Sequence, residues 1–120
     1  MLTQLQKQKY IQGWQKRKKN KTEKLQKKKK IAIKKAEKIS LELRTKYEIT
    51  KVILFGSLVE NKFWQHSDID IAIKDLKNEM YLRVYSEMSE IASPFKLDLV
   101  LIENAPESLV KKIYNKGVEI

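Results

Sequence analysis

Gly56-Ser57 is followed ten residues later by Ser67-Asp68-Ile69-Asp70-Ile71. Aspartates at i and i+2 of a strand leave the same face, about 6–7 Å apart along the backbone. Asp is depleted in strands, and neighbouring like charges repel, so such a pair needs a physical reason to persist. A divalent cation supplies one. A third carboxylate, Asp98, lies in the segment FKLDLVLI, whose alternate positions Phe95, Leu97, Leu99 and Leu101 are apolar. If the two strands are neighbours in register, Asp68, Asp70 and Asp98 converge above one sheet face. Two unit charges about 4 Å apart repel by about 4 kcal/mol at an effective dielectric near 20. Convergence therefore calls for Mg2+ or Mn2+, both of which prefer oxygen ligands.

Gly56-Ser57 has a different chemistry. Ser57-Leu58-Val59-Glu60 matches the capping box, which makes Ser57 a helix N-cap. A helix start after a glycine turn also presents amide donors to phosphate oxygens. The dipeptide alone is a weak signal, but Gly-Ser followed at this spacing by Asp-x-Asp, between two strands, is specific.

Several elements must position these residues. Residues 51–55 read as a strand apolar on both faces and therefore central. In the strand 68–73, Ile69, Ile71 and Ile73 point to the core and Asp68 and Asp70 away from it. Tyr81, Val84, Met88 and Ile91 form one stripe of a helix over 79–92, with Asn78 as its cap and Ser93-Pro94 as its stop. A third strand spans 95–101, with Lys96 and Asp98 opposite its apolar face. Asn104-Ala105-Pro106-Glu107 reads as a helix start that Gly117 ends. Upstream, Ala32, Ala36, Ile39 and Leu43, with Tyr47 beyond, place one apolar stripe on a helix that docks on this unit. The expected fold class is α/β (α+β), a small mixed sheet flanked by helices. No internal repeat is evident.

Composition divides the chain. Its 120 residues suffice for one modest domain, and without cysteine neither a disulfide nor a Cys-based zinc site is available. No apolar run approaches the roughly 20 residues of a membrane span, so the expected location is the cytoplasm. Residues 1–50 carry 17 Lys+Arg against 4 Glu, whereas residues 51–120 carry 9 basic against 11 acidic groups. All excess positive charge thus belongs to the first segment, and we expect a basic helical arm over 1–30 followed by a domain over 31–120. The arm fits a solvated lysine-rich helix, a partner-docking element anchored by Tyr10, Ile11 and Trp14, or a nucleic-acid contact. Nucleic acid is the least favoured, because Arg and interleaved aromatics are scarce.

The stretch VILFGSLVENKFWQHSDIDIAI, over 52–73, resembles the minimal nucleotidyltransferase (MNT) domains of the DNA polymerase β superfamily. Their pattern is Gly-Ser, about ten residues, Asp-x-Asp, and a third carboxylate on a later strand, which Asp98 matches. The resemblance covers residues 31–120, and its size and arrangement are most similar to MNT antitoxins paired with HEPN ribonuclease toxins. It departs from many relatives at Leu58, where an Arg is common, and at Asn61, where a second glycine is common. The resemblance implies a polymerase β-like fold and two Mg2+ ions held by Asp68, Asp70 and Asp98. It further implies that Gly56 and Ser57 grip the β- and γ-phosphates of ATP, and that AMP passes to a tyrosine of the partner toxin. The alternatives are an antitoxin that acts by binding alone, or transfer to a small molecule or nucleic acid. His66 reads as a structural or exposed loop residue. Phe63 and Trp64 read as a cover for the core edge, or as stacking groups for a base.

Overall fold

The computed structural model describes residues 4–60, 62–63 and 68–120, with side chains described from residue 22 onward. Trp64, His66 and Asn61 lie outside the described residues, and of Tyr10, Ile11 and Trp14 only the helical backbone is described.

Helix α1, Gln4–Tyr47, is a single unbroken helix of 44 residues, about 66 Å at 1.5 Å per residue. Lys, Gln, Leu and Ala favour this conformation. Only its C-terminal part has an apolar stripe, and Ala32, Ala36, Ile39 and Leu43 are all fully buried there, as the spacing predicts. Small residues at 32 and 36 let the helix approach the sheet closely, and Ile39 and Leu43 fill the space below. Polar ties fasten the same end. Lys35 Nζ donates to the Ile91 carbonyl at 3.2 Å, Arg44 Nη1 to the Thr50 carbonyl at 2.8 Å, and Tyr47 Oη to Glu87 at 2.6 Å.

The sheet has four strands: β1 (Val52–Phe55), β2 (Ile69–Ile73), β3 (Leu97–Leu101) and β4 (Val118–Glu119). Their spatial order is β3-β2-β1-β4. β1 is antiparallel to both β2 and β4, and β2 is parallel to β3. The parallel pair requires a crossover, which α2 (Tyr81–Ala92) provides. α3 (Glu107–Lys116) then returns the chain towards β4.

β1 is buried along its whole length and lies inside the sheet, as its two-sided apolarity predicts. On one face, Ile69, Ile71, Ile73, Leu97, Leu99 and Leu101 meet α1 and Val84 and Met88 of α2. On the other, Ile53, Phe55 and Ala72 pack under Ile102 and Ile113. That second cluster stops short of Asp70 and Asp98, which share its face. α3 therefore covers one end of the face and leaves the carboxylate end open.

Two expected caps take other partners. Neither Asn78 nor Asn104 caps a helix; Asn104 Nδ2 donates to Asn78 Oδ1 at 2.9 Å. The N-cap of α3 is Pro106, whose carbonyl accepts from the Leu109 and Val110 amides at 3.0 Å each. β4 has no counterpart in the sequence reading, because two exposed residues show no alternation. Gly117 does end α3, its amide bonding the Ile113 carbonyl at 2.8 Å. A Cβ at Gly117 would overlap that carbonyl and the Ile53 side chain, so glycine is what lets β4 close on β1.

Candidate active site

The middle of the sheet aligns the candidate residues in a row. Antiparallel register puts Phe55 opposite Asp70, and parallel register puts Asp70 opposite Asp98. Gly56 follows Phe55 immediately, so the row across three strands runs Gly56, Asp70, Asp98. Asp68 directly precedes β2 and is half-buried.

Gly56 has φ +78°, a left-handed conformation that costs other residues about 1–2 kcal/mol. Its Cα faces the Asp70 carboxylate so closely that a Cβ would overlap Oδ2. Conformation and close approach both demand glycine. The chain then forms a three-residue 3-10 turn, Gly56–Leu58, closed by the Val59 and Glu60 amides on the Gly56 carbonyl at 3.2 and 3.0 Å. The capping-box reading of Ser57 is therefore corrected: no α-helix begins here, and Ser57 makes no side-chain cap. Glu60 turns instead towards α3, meeting Lys112 at 3.9 Å and Lys116 at 3.4 Å.

The electrostatics concentrate on Asp70. Its pKa is pushed up from 3.8 to about 7, first by burial, then by the charges of Asp98 and Asp68, and by a hydrogen bond with Asp98. Lys112 opposes the shift. A divalent cation bound beside it would favour the charged carboxylate, so the pair of acids suits an oxygen-ligand metal. Among the described residues no three acidic or histidine side chains are gathered closely enough to hold a metal ion, so the convergence of three carboxylates expected from the sequence is met only in part. Asp70 and Asp98 meet, while Asp68 is felt through its charge. The donors fit Mg2+ or Mn2+ in kind, being hard oxygens.

A model of the "Polymerase beta, Nucleotidyltransferase" family matches residues 37–120, which hold the whole sheet, α2, α3 and the C-terminal end of α1. The chain belongs to the polymerase β nucleotidyltransferase family. The solved structures it resembles include a toxin-antitoxin with AMP-PNP, at 24% identity and TM-score 0.59, covering 69% of this chain and 70% of that one. Another is the toxin-antitoxin MntA-HepT, at 25% identity and TM-score 0.54, covering 71% and 68%. A third is a tri-AMPylated Shewanella oneidensis HEPN toxin in complex with MNT antitoxin, at 26% identity and TM-score 0.54, covering 71% and 67%. No curated protein sequence matches the chain.

Within this nucleotidyltransferase, two features escape a sequence reading. Lys112 acts on Asp70 from α3, although nothing distinguishes it in sequence from its neighbour Lys111. Tyr81 and Tyr85 stack at 6.0 Å and line an open groove that reaches Asp68 and Asp98. One turn of helix separates the pair, which also serves as part of a core stripe, so the groove is invisible until α2 is placed beside β3. Phe63 is buried and lies 5.9 Å from Phe95, which supports its reading as a cover for the core edge. No helix of the described residues is long and apolar enough to cross a membrane.

Proposed function

We propose that this chain is an antitoxin that transfers AMP from ATP to a tyrosine of a partner HEPN ribonuclease toxin and so neutralises it. The observation that carries the reading is the row Gly56–Asp70–Asp98, in which glycine is pressed against one carboxylate and that carboxylate is paired with the next. The likeness of the fold to structures described as a toxin-antitoxin with AMP-PNP and as a tri-AMPylated HEPN toxin with MNT antitoxin supports both nucleotide and partner.

Each residue has a role in that reaction. Asp68, Asp70 and Asp98 would hold two Mg2+ ions. Bound there, the ions would neutralise phosphate charge and lower the pKa of the acceptor hydroxyl. The Gly56-Ser57 turn lies on the β1 side of Asp70 and receives the β- and γ-phosphates through its backbone and hydroxyl. Lys112 and Lys116 stand beside that turn through Glu60 and supply positive charge where Leu58 replaces the arginine common in relatives. Asp98, exposed on the outer strand, takes the proton from the tyrosine hydroxyl. The tyrosine oxygen bonds to the α-phosphorus, the bond from that phosphorus to the bridging oxygen breaks, and pyrophosphate leaves.

The test mixes the protein with α-labelled ATP, Mg2+ and the product of the adjacent gene as candidate toxin, with Asp68→Asn/Asp70→Asn as control. Label on the toxin that disappears in the control supports the reading. A double variant as active as wild type refutes it, and a tight complex without label marks an antitoxin that acts by binding alone.

A further inference from the structure

The hollow beside the acids, about 420 Å³, is bordered by Asp68, Lys96 and Asp98 on the side of the sheet and by Tyr81 and Tyr85 of α2. Two tyrosines thus border a site whose proposed acceptor is itself a tyrosine. Their hydroxyls differ. Tyr81 Oη donates to the Leu99 carbonyl at 2.7 Å and is held at the outer edge of β3. Tyr85 Oη has no hydrogen-bond partner among the described residues, although its ring is half-buried and stacks on Tyr81 at 6.0 Å.

The fold decides where that unpaired hydroxyl lies. α2 is the crossover between two parallel strands, so it runs back against β3. The turn of helix from Tyr81 to Tyr85, about 5.4 Å, therefore leads from Leu99 towards Leu97. The register pairs Leu97 with Ile69, the residue after Asp68. Tyr85 is thus level with the end of β2 at which Asp68 stands. The other tyrosines with described side chains are committed elsewhere. Tyr47 Oη donates to Glu87, and Tyr114 lies under Lys51, at the end of β1 opposite Gly56. Lys96, exposed at the same hollow as Tyr85, supplies a cation for a phosphate group placed there.

We infer that Tyr85 is an acceptor in its own right, and that the chain transfers AMP from ATP to its own Tyr85 hydroxyl. This rests on the nucleotidyl-transfer reading and adds to it a modification site on the protein itself. The Tyr85 oxygen bonds to the α-phosphorus, the bond from that phosphorus to the bridging oxygen breaks, and pyrophosphate leaves. The phenolic proton passes to Asp98. The product is a tyrosyl phosphodiester with one negative charge, lying in the hollow beside Lys96. A ring already tethered at the site needs no encounter with a second molecule, so the step is intramolecular.

The test incubates the full-length protein alone with α-labelled ATP and Mg2+ and locates the label by mass spectrometry of proteolytic peptides. Label is expected on Tyr85, at a rate per molecule that changes less than twofold over a tenfold dilution of the protein. Asp68→Asn/Asp70→Asn and Tyr85→Phe should each lose it at least tenfold, whereas Tyr114→Phe should keep it. Tyr85→Phe removes a hydroxyl without a partner, so its denaturation midpoint should match wild type. Wild type that labels the product of the adjacent gene but not itself overturns the self-transfer and leaves the transfer reading intact. Label confined to another residue, or a rate per molecule that rises in proportion to protein concentration, overturns it as well. A wild-type protein that labels neither overturns both.

Discussion

Replacing Asp70 by Asn should stabilise this protein when no divalent cation is present, although it removes a residue central to the proposed chemistry. Folding raises the Asp70 pKa from 3.8 to about 7. Between those values the native state holds a proton that the unfolded chain has released. Stability from this group is therefore full below about pH 4, falls as pH rises, and reaches its lowest level above pH 7. A shift of that size corresponds to about 4 kcal/mol at about 1.4 kcal/mol per pKa unit. Asp70 is only partly buried, and screening by solvent reduces the figure to about 2 kcal/mol. Asn has the shape of the protonated acid, fits against Gly56, and donates to Asp98. Urea denaturation in EDTA at pH 5 and pH 8 should show wild type losing about 1 kcal/mol across that interval, the rest of the effect lying below pH 5, and Asp70→Asn losing much less. At pH 8 the variant should be the more stable, and Mg2+ should narrow the gap by favouring the wild-type carboxylate. A variant less stable than wild type at pH 8, or an equal pH slope in both, would refute the account of strain at this carboxylate.

Gly56→Ala should cost about 1–2 kcal/mol of stability from its backbone alone and displace the Asp70 carboxylate, lowering nucleotidyl transfer at least a hundredfold; labelling rates and denaturation midpoints read the two effects separately. Gly117→Ala, far from the acids, should destabilise by about 1–3 kcal/mol through overlap with Ile53 and the Ile113 carbonyl, seen as a lower Tm. Ile39→Ala should cost about 2–5 kcal/mol, because Ile39 is wholly buried where α1 docks, and urea denaturation should show it.

Much of this molecule is legible in its sequence because the signals are local. Period-two alternation marks β2 and β3, the 4-3-4 spacing of Ala32, Ala36, Ile39 and Leu43 marks the docking face of α1, and the two-sided apolarity of β1 marks a central strand. The spacing of Gly56-Ser57, Asp68, Asp70 and Asp98 identifies the candidate site, since an alternating strand fixes which face each side chain leaves. Local signals mislead where two partners compete. Ser57 and Glu60 fit a capping box, but the left-handed turn at Gly56 sends Glu60 to Lys112 and Lys116. Asn78 and Asn104 each look like caps until the fold brings them together.

Pairing between distant segments decides the rest. That Asp98 lies opposite Asp70 follows from the parallel register of β2 and β3, which depends on the crossover through α2 and not on either strand. β4 exists because Gly117 admits it beside β1. Lys112 and the groove lined by Tyr81 and Tyr85 join the site only when α3 and α2 are laid against the sheet. Sequence alone determined which residues carry charge and which face of each element they occupy, because backbone geometry sets that within a few residues. Tertiary structure alone decided which of those faces meet, because burial of apolar surface is shared among segments far apart in the chain.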